Sequence, residues 1–242
     1  MIRLIFVILF VALYLIIGIP ILFVEWLVSK KFRYAADISQ LRMVQWAFKV
    51  ILILSGVHLT VIGEENVPKD TPVLYVGNHR SFFDIIITYA RCPRLTGYVA
   101  KDSMLKVPLL SLWMKRLYCL FLNRSDVKEG LKTILTGIDQ IKHGISMCIF
   151  PEGTRSKDGK VGRGKTGVAL IAARSGAAVV PAGIVFEGKL RFRSKVTVKY
   201  GKPIAPEDIQ LEKELDPHKL KAVKVKIMGE IKELVEGSNG GN

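Results

Sequence analysis

His79 and Asp84 stand five residues apart in Asn78-His79-Arg80-Ser81-Phe82-Phe83-Asp84, an imidazole and a carboxylate at the joint between an apolar run and a helix-forming stretch. An imidazole that takes up a proton works best with a second group that fixes its tautomer and stabilises the imidazolium, and a carboxylate serves both ends. Five residues along one helix would put the pair on diverging faces, whereas a strand-turn-helix joint folds them together. Pro72-Val73-Leu74-Tyr75-Val76 reads as the buried strand that enters the joint. Ser81 is positioned as the N-cap of the helix that leaves it, and Asp84 then falls at the third helical position, where its side chain reaches back over the helix start. The same residues satisfy a capping box, Ser-x-x-acid, which requires no chemistry. The heptapeptide alone therefore leaves catalysis and capping both open.

A second group follows the apolar run Ser146 to Phe150, in Pro151-Glu152-Gly153-Thr154-Arg155-Ser156. Arg155 offers a planar fork for phosphate, Gly153 permits close backbone approach, and Thr154 adds a hydroxyl donor. Glu152 cannot attract an anion, so it reads as orienting the neighbouring Arg or accepting a bond from a substrate hydroxyl. An ordinary polar turn would also fit this hexapeptide. Arg124, after Phe121-Leu122-Asn123, and Lys101, after an apolar run ending at Ala100, repeat the pattern of a cation at a strand end. Together these cations predict a basic mouth on one edge of a sheet, where ligands sit in open α/β folds.

The elements that must position these groups alternate. Strands are expected over Val73 to Val76, Gly97 to Ala100, Cys119 to Leu122, Ser146 to Phe150, Val179 to Phe186 and Lys195 to Tyr200. Helices are expected over Phe82 to Arg91, Pro108 to Lys115, Val127 to His143, Gly164 to Arg174 and Pro217 to Val235. Such alternation predicts an α/β fold with a mostly parallel central sheet flanked by helices, here over residues 61–236. Residues 237–242, Gly-Ser-Asn-Gly-Gly-Asn, read as a disordered tail.

Residues 1–60 have another character. Leu4 to Val24 is a run of 21 uncharged residues, as a helix ~31 Å long and comparable to a bilayer core. Pro20 is expected to kink or break it, and Lys30, Lys31 and Arg33 supply the basic flank of a cytoplasmic face. A second apolar helix, about Leu41 to Leu59, carries Arg42, Lys49 and His58, which argues against a simple span. The two form a membrane-anchoring unit that leans toward insertion in one leaflet, with spanning left open. The whole chain is 50% hydrophobic yet has 36 Lys and Arg against 21 Asp and Glu. High apolarity with high basicity points to an anionic membrane surface rather than nucleic acid. Cys92, Cys119 and Cys148 are odd in number and set among apolar residues, as reduced core thiols are.

One motif is discounted. Gly159-Lys160-Val161-Gly162-Arg163-Gly164-Lys165-Thr166 matches the nucleotide phosphate loop literally, but polar residues precede it where a buried strand should.

Four ordered blocks, Asn78-His79 with Asp84, Phe121 to Arg124, Phe150 to Ser156 and Val179-Val180-Pro181-Ala182-Gly183-Ile184, resemble those of the 1-acyl-sn-glycerol-3-phosphate acyltransferases. The resemblance covers about residues 60 to 205. It departs from the family pattern at Asn123, where Asp is common, at Tyr118, where a Gly is common, and at Gly164, where Phe is common. It implies transfer of an acyl group from an acyl carrier protein or coenzyme A thioester to the sn-2 hydroxyl of lysophosphatidic acid, giving phosphatidic acid, with no metal or other cofactor. On that footing His79 is the general base and Asp84 its orienting acid, and amides near Ser81 serve the oxyanion. Arg124, Arg155 and Lys101 hold phosphate, with Glu152, Gly153 and Thr154 beside the substrate. Glycerol 3-phosphate or another lysophospholipid is the alternative acceptor, an acyl-enzyme on Ser81 or a cysteine the alternative mechanism, and a non-catalytic membrane lipid-binding protein the alternative class.

Overall fold

The computed structural model describes residues 2–188, 192–209 and 216–237. Two long helices open the chain, α1 (Ile2–Ser29) and α2 (Arg33–Ser55), antiparallel and tied at their far ends by Arg3, which donates to the Leu54 carbonyl at 2.8 Å. Alternating elements follow: β1 (His58–Ile62), β2 (Val73–Gly77), α3 (Phe82–Tyr89), β3 (Thr96–Lys101), α4 (Leu110–Arg116), β4 (Leu120–Leu122), α5 (Val127–Lys142), β5 (Ser146–Ile149), α6 (Gly167–Ser175), β6 (Ala178–Phe186), β7 (Lys195–Tyr200) and α7 (Pro217–Glu236). Their order in the sheet is β1-β7-β6-β2-β5-β3-β4, and only the β6–β7 pairing is antiparallel. The expected α/β architecture is therefore present.

Apolar side chains fill both faces of the sheet, as a mostly parallel sheet requires. One face carries Tyr75, Tyr98, Cys148, Ile184 and Val198 under α3, with α1 and α2 behind it. The other carries Leu74, Val76, Met147 and Val179 under α5, α6 and α7. On α7, Leu220, Val223, Ile227, Ile231 and Val235 recur at helical spacing and are all buried.

The helical pair differs from expectation in three respects. Pro20 lies inside α1 without ending it. Gly18 instead serves close packing, since a Cβ there would lie 2.7 Å from the Trp113 indole. The second helix starts earlier and stops sooner than expected, because Gly56 adopts the left-handed conformation (φ 66°) and its amide closes the last turn on Ile53 and Leu52. His58 thus opens strand β1, paired in parallel with β7, and is not a helical residue. The remaining strands and helices fall within a few residues of the expected ranges. In the expected tail, Gly237 caps α7, and residues 238–242 lie outside the described residues.

Only Gly18 and Glu25 of the 28 residues of α1 are buried, although the helix is almost wholly apolar. Glu25 turns toward α2, where it accepts a hydrogen bond from Ser39. Both helices are long and apolar enough to cross a membrane by length and composition. α2, however, buries Leu41, Val44, Ala47 and Ile51, and Leu41 and Val44 belong to the α/β core.

Candidate active site

β2, β3, β4 and β5 run in parallel, so their C-terminal ends share one edge of the sheet, and each end releases a segment singled out by the sequence. From β2 come Asn78 and His79. Asn78 extends the sheet one step by side chain, its amide donating to the Ile184 carbonyl at 2.9 Å while its oxygen accepts from Ile184 N at 2.7 Å. That double bond to β6 fixes the strand end on which His79 stands.

Ser81 caps α3, accepting from Phe83 N at 2.8 Å, and Asp84 closes the capping box. Asp84 is fully buried, and its Oδ2 accepts from Ser81 N at 2.8 Å, from Arg80 N at 2.6 Å and from His79 Nδ1 at 2.8 Å. One carboxylate oxygen therefore serves both cap and imidazole. The His79 side chain keeps 17% of its surface exposed, lies flat on Phe150 with ring centroids 4.4 Å apart, and has no hydrogen-bond partner on Nε2 among the described residues. The amides of Arg80, Ser81, Phe83 and Asp84 all have acceptors within the joint, which leaves Phe82 N–H as its amide without one among the described residues. The expected oxyanion donors near Ser81 reduce to that group.

The loop after β5 reads differently from expectation at Glu152. It is buried, with Oε1 accepting from His79 N at 3.0 Å and Oε2 from Gly162 N at 2.9 Å. No ion pair joins it to Arg155 among the described residues, so its visible work is to hold the His79 backbone and the loop after it. Gly153 takes a positive φ of 73° beside the guanidinium of Arg124 and the stem of Lys165, each about 4 Å from where a Cβ would be. Thr154 and Arg155 are exposed, and the Arg155 guanidinium lies 4.6 Å from the Phe82 ring centroid at the start of α3. Lys101 ends β3 level with Leu122 of β4, on the same edge but two strands from His79. The structure thus brings together His79, Asp84 and Glu152, and separately Gly153 with Arg124; Lys101 stands apart from both.

Residues 159–166 lie in coil ten positions beyond the end of β5, so no strand delivers them as a nucleotide loop. They fold back instead, Gly162 onto Glu152 and Lys165 N onto the Pro151 carbonyl at 2.8 Å. Lys165 is a cation of this edge that the literal motif match concealed. Phe150, which the sequence marks only as a strand end, is the ring on which His79 lies. Among the described residues no cluster of three or more His, Cys, Asp and Glu is placed to hold a metal.

Behind His79, a cavity of about 470 Å³ runs between the sheet and α3. Its walls are Tyr75, Gly77, Thr88, Cys92, Tyr98, Cys148, Phe150, Ala182 and Ile184, and its far rim holds Glu64 and Arg91. Burial pushes the Cys92 thiol up to about 11 and Cys148 well above the usual thiol range. Neither is poised as a nucleophile.

A family model described as Acyltransferase matches residues 58–185, more than half of the chain. The chain belongs to the acyltransferase family. Within it, the match begins at the first residue of β1 and takes in every segment of the His79 edge. The chain is 35% identical over 133 residues to a chloroplast 1-acyl-sn-glycerol-3-phosphate acyltransferase of Arabidopsis thaliana, a match covering 54% of this chain and 37% of that protein. It is 32% identical over 142 residues to a 1-acyl-sn-glycerol-3-phosphate acyltransferase of Borreliella burgdorferi, covering 57% and 56%. These matches therefore span between about a third and just over half of the relatives' length. The crystal structure of a 1-acyl-sn-glycerophosphate (LPA) acyltransferase from Thermotoga maritima superposes with a TM-score of 0.73 at 26% identity, covering 94% of each chain. That agreement extends the likeness of this acyltransferase-family chain to its two N-terminal helices.

Proposed function

We propose that the chain transfers an acyl group from a thioester, of acyl carrier protein or coenzyme A, to the sn-2 hydroxyl of 1-acyl-sn-glycerol 3-phosphate, giving phosphatidic acid. The observation that carries this reading is the His79–Asp84 pair, a buried carboxylate on Nδ1 with Nε2 left for substrate, beside an apolar cavity and a basic rim. His79 takes the hydroxyl proton while the oxygen attacks the acyl carbonyl carbon. Asp84 holds the imidazole and stabilises its cation. The tetrahedral intermediate collapses, the carbon–sulfur bond breaks, and the proton passes from His79 to the departing thiolate. Phe82 N–H at the start of α3 is the amide offered to the oxyanion. Arg124, Arg155 and Lys165 receive the phosphate, with Lys101 further along the edge. Gly153 keeps the backbone low beneath it, and Thr154 adds a hydroxyl at its rim. The cavity takes an acyl chain, its walls being apolar and its inner end bounded by Phe150, on which His79 lies.

The acceptor is proposed to reach this edge from the bilayer. α1 lies against Trp113 of α4, and α2 contributes to the domain core, which supports a helical pair that stays docked on the domain. Insertion in one leaflet at the cytoplasmic face suits this arrangement, together with the basic Lys30 and Lys31 turn and three free cysteines. The test is release of free thiol from an acyl thioester by the purified full chain. Release should depend on lysophosphatidic acid; a thiol signal equal with and without it, or none, overturns the reading. The same assay with both donor types identifies the carrier.

A further inference from the structure

We infer that the segment from Lys101 to Arg116, comprising the 3₁₀ turn Asp102–Lys106 and α4, is a second lipid-contacting patch that seats the α/β domain itself on the bilayer. Within eight residues Leu105, Val107 and Leu112 are 43%, 40% and 52% exposed, with Pro108 exposed between them. Scattered apolar residues on a surface need no explanation, but a close group of them does. The group is interleaved with the exposed Lys101, Lys106 and Lys115 against one acid, Asp102, while Arg116 turns back to Gln40 and Asp37 of α2. Apolar side chains among lysines suit the boundary between acyl chains and anionic headgroups, where the stems lie in the apolar layer and the ammonium groups reach out.

What places lipid here rather than a protein partner is continuity with α1. Trp113, on the inner side of α4, is buried against Tyr14 of α1 with ring centroids 5.3 Å apart, and Gly18 fits beneath the same indole. α4 is therefore docked by its inner side on a helix whose apolar side chains are exposed along its length. A layer that covers the flank of α1 beside Trp113 would then also meet the exposed residues of α4. The patch begins at Lys101, on the edge that carries His79 and Arg124. It would hold that edge at headgroup level, so an acceptor anchored by its acyl chain could meet the cations without leaving the bilayer. This rests on the membrane-held acceptor proposed above.

The test uses the full chain carrying Leu105→Asp and Leu112→Asp together, with decanoyl-coenzyme A as donor. Toward oleoyl lysophosphatidate in phosphatidylglycerol vesicles, kcat/KM should fall tenfold or more. Toward hexanoyl lysophosphatidate, dissolved as a monomer, it should stay within twofold of wild type. An equal fall on both acceptors, or no fall on either, overturns the patch. Wild type inactive on both acceptors with this donor and with the decanoyl thioester of acyl carrier protein would instead sink acyl transfer, and a second readout then decides the patch by itself. Leu112→Trp should show tryptophan quenching beyond that of wild type in vesicles of phosphatidylglycerol with brominated acyl chains. No added quenching overturns the proposal and leaves a soluble protein as the occupant of this surface.

Discussion

At the scale of residues, Asp84 joins two functions on one atom, and substitutions can separate them. Its Oδ2 accepts two backbone amides of the α3 cap and the His79 Nδ1–H. Ser81→Ala removes only the bond from Phe83 N and should cost ~0.5–2 kcal/mol of stability, read by urea unfolding, with turnover nearly unchanged. Retained turnover would also exclude Ser81 as a nucleophile. His79→Ala should lower kcat by roughly 10²- to 10⁴-fold with little change in stability, and a wild-type rate would end its assignment as base. Glu152 makes a different prediction. Because it holds His79 by the backbone and Gly162 from the other side, Glu152→Ala should lower kcat more than it raises KM for the acceptor. A pure KM effect would return it to the phosphate site. The His79–Asp84 pair was legible in the sequence because its two members share one local turn. The partner of Glu152 was not, since His79 is 73 residues away and no periodicity reports which amide a buried carboxylate will find.

At the scale of elements, the departures from the family pattern have visible structural settings. Tyr118 stands where a glycine is common and has a positive φ of 59°, a conformation a side chain strains to adopt. Its hydroxyl donates to Asp37, a buried residue of α2 that also accepts from Arg33 Nε at 3.0 Å. The side chain thus ties the N-terminal pair to the approach of β4. Tyr118→Phe should lower stability by about 1–3 kcal/mol, because it leaves a buried carboxylate short of a donor, measured by chemical unfolding against wild type. Asn123 stands where the family pattern commonly has an aspartate, and its oxygen accepts from Ser125 N at 3.0 Å and closes the turn after β4. Gly164 stands where a phenylalanine is common in the family pattern, and a Cβ there would lie 2.6 Å from the Met228 sulfur of α7. Met228 fills that space, so Gly164→Phe should destabilise by ~1–3 kcal/mol and Met228→Ala should recover part of the loss in the double variant. Additive losses would show that the two do not compete. The sequence revealed nearly every strand and helix because their apolar runs are short and well punctuated. It concealed β1 because the apolar end of α2 continues into it, and only Ser55-Gly56 before a β-branched stretch marked the change.

At the scale of the whole molecule, the sheet separates two environments. α1, α2 and α3 lie over the face that holds the cavity, and α5, α6 and α7 close the other. The basic edge joins the two, so one boundary carries the cations proposed to receive phosphate, the His79–Asp84 pair, and Phe150 at the inner end of the apolar space. The pattern of strands and charges foretold the edge, but not the cavity. Its walls come from β2, β3, β5, β6 and α3 at once, and each wall residue read singly as core. If that space takes the acyl chain, narrowing it midway should shorten the preferred chain without touching the base. Cys148 is suited to the test, being small, buried, and with a thiol that burial holds protonated. Cys148→Leu adds volume to the wall and leaves the His79–Asp84 bonds intact. In competition between thioesters of graded length, the variant should keep its rate with short chains and lose kcat/KM for long ones by roughly tenfold or more, the cost of one to two misplaced methylenes. An unchanged length profile with a uniformly lower rate would mean that the cavity is packing space and that the chain lies elsewhere, along the membrane side of α1.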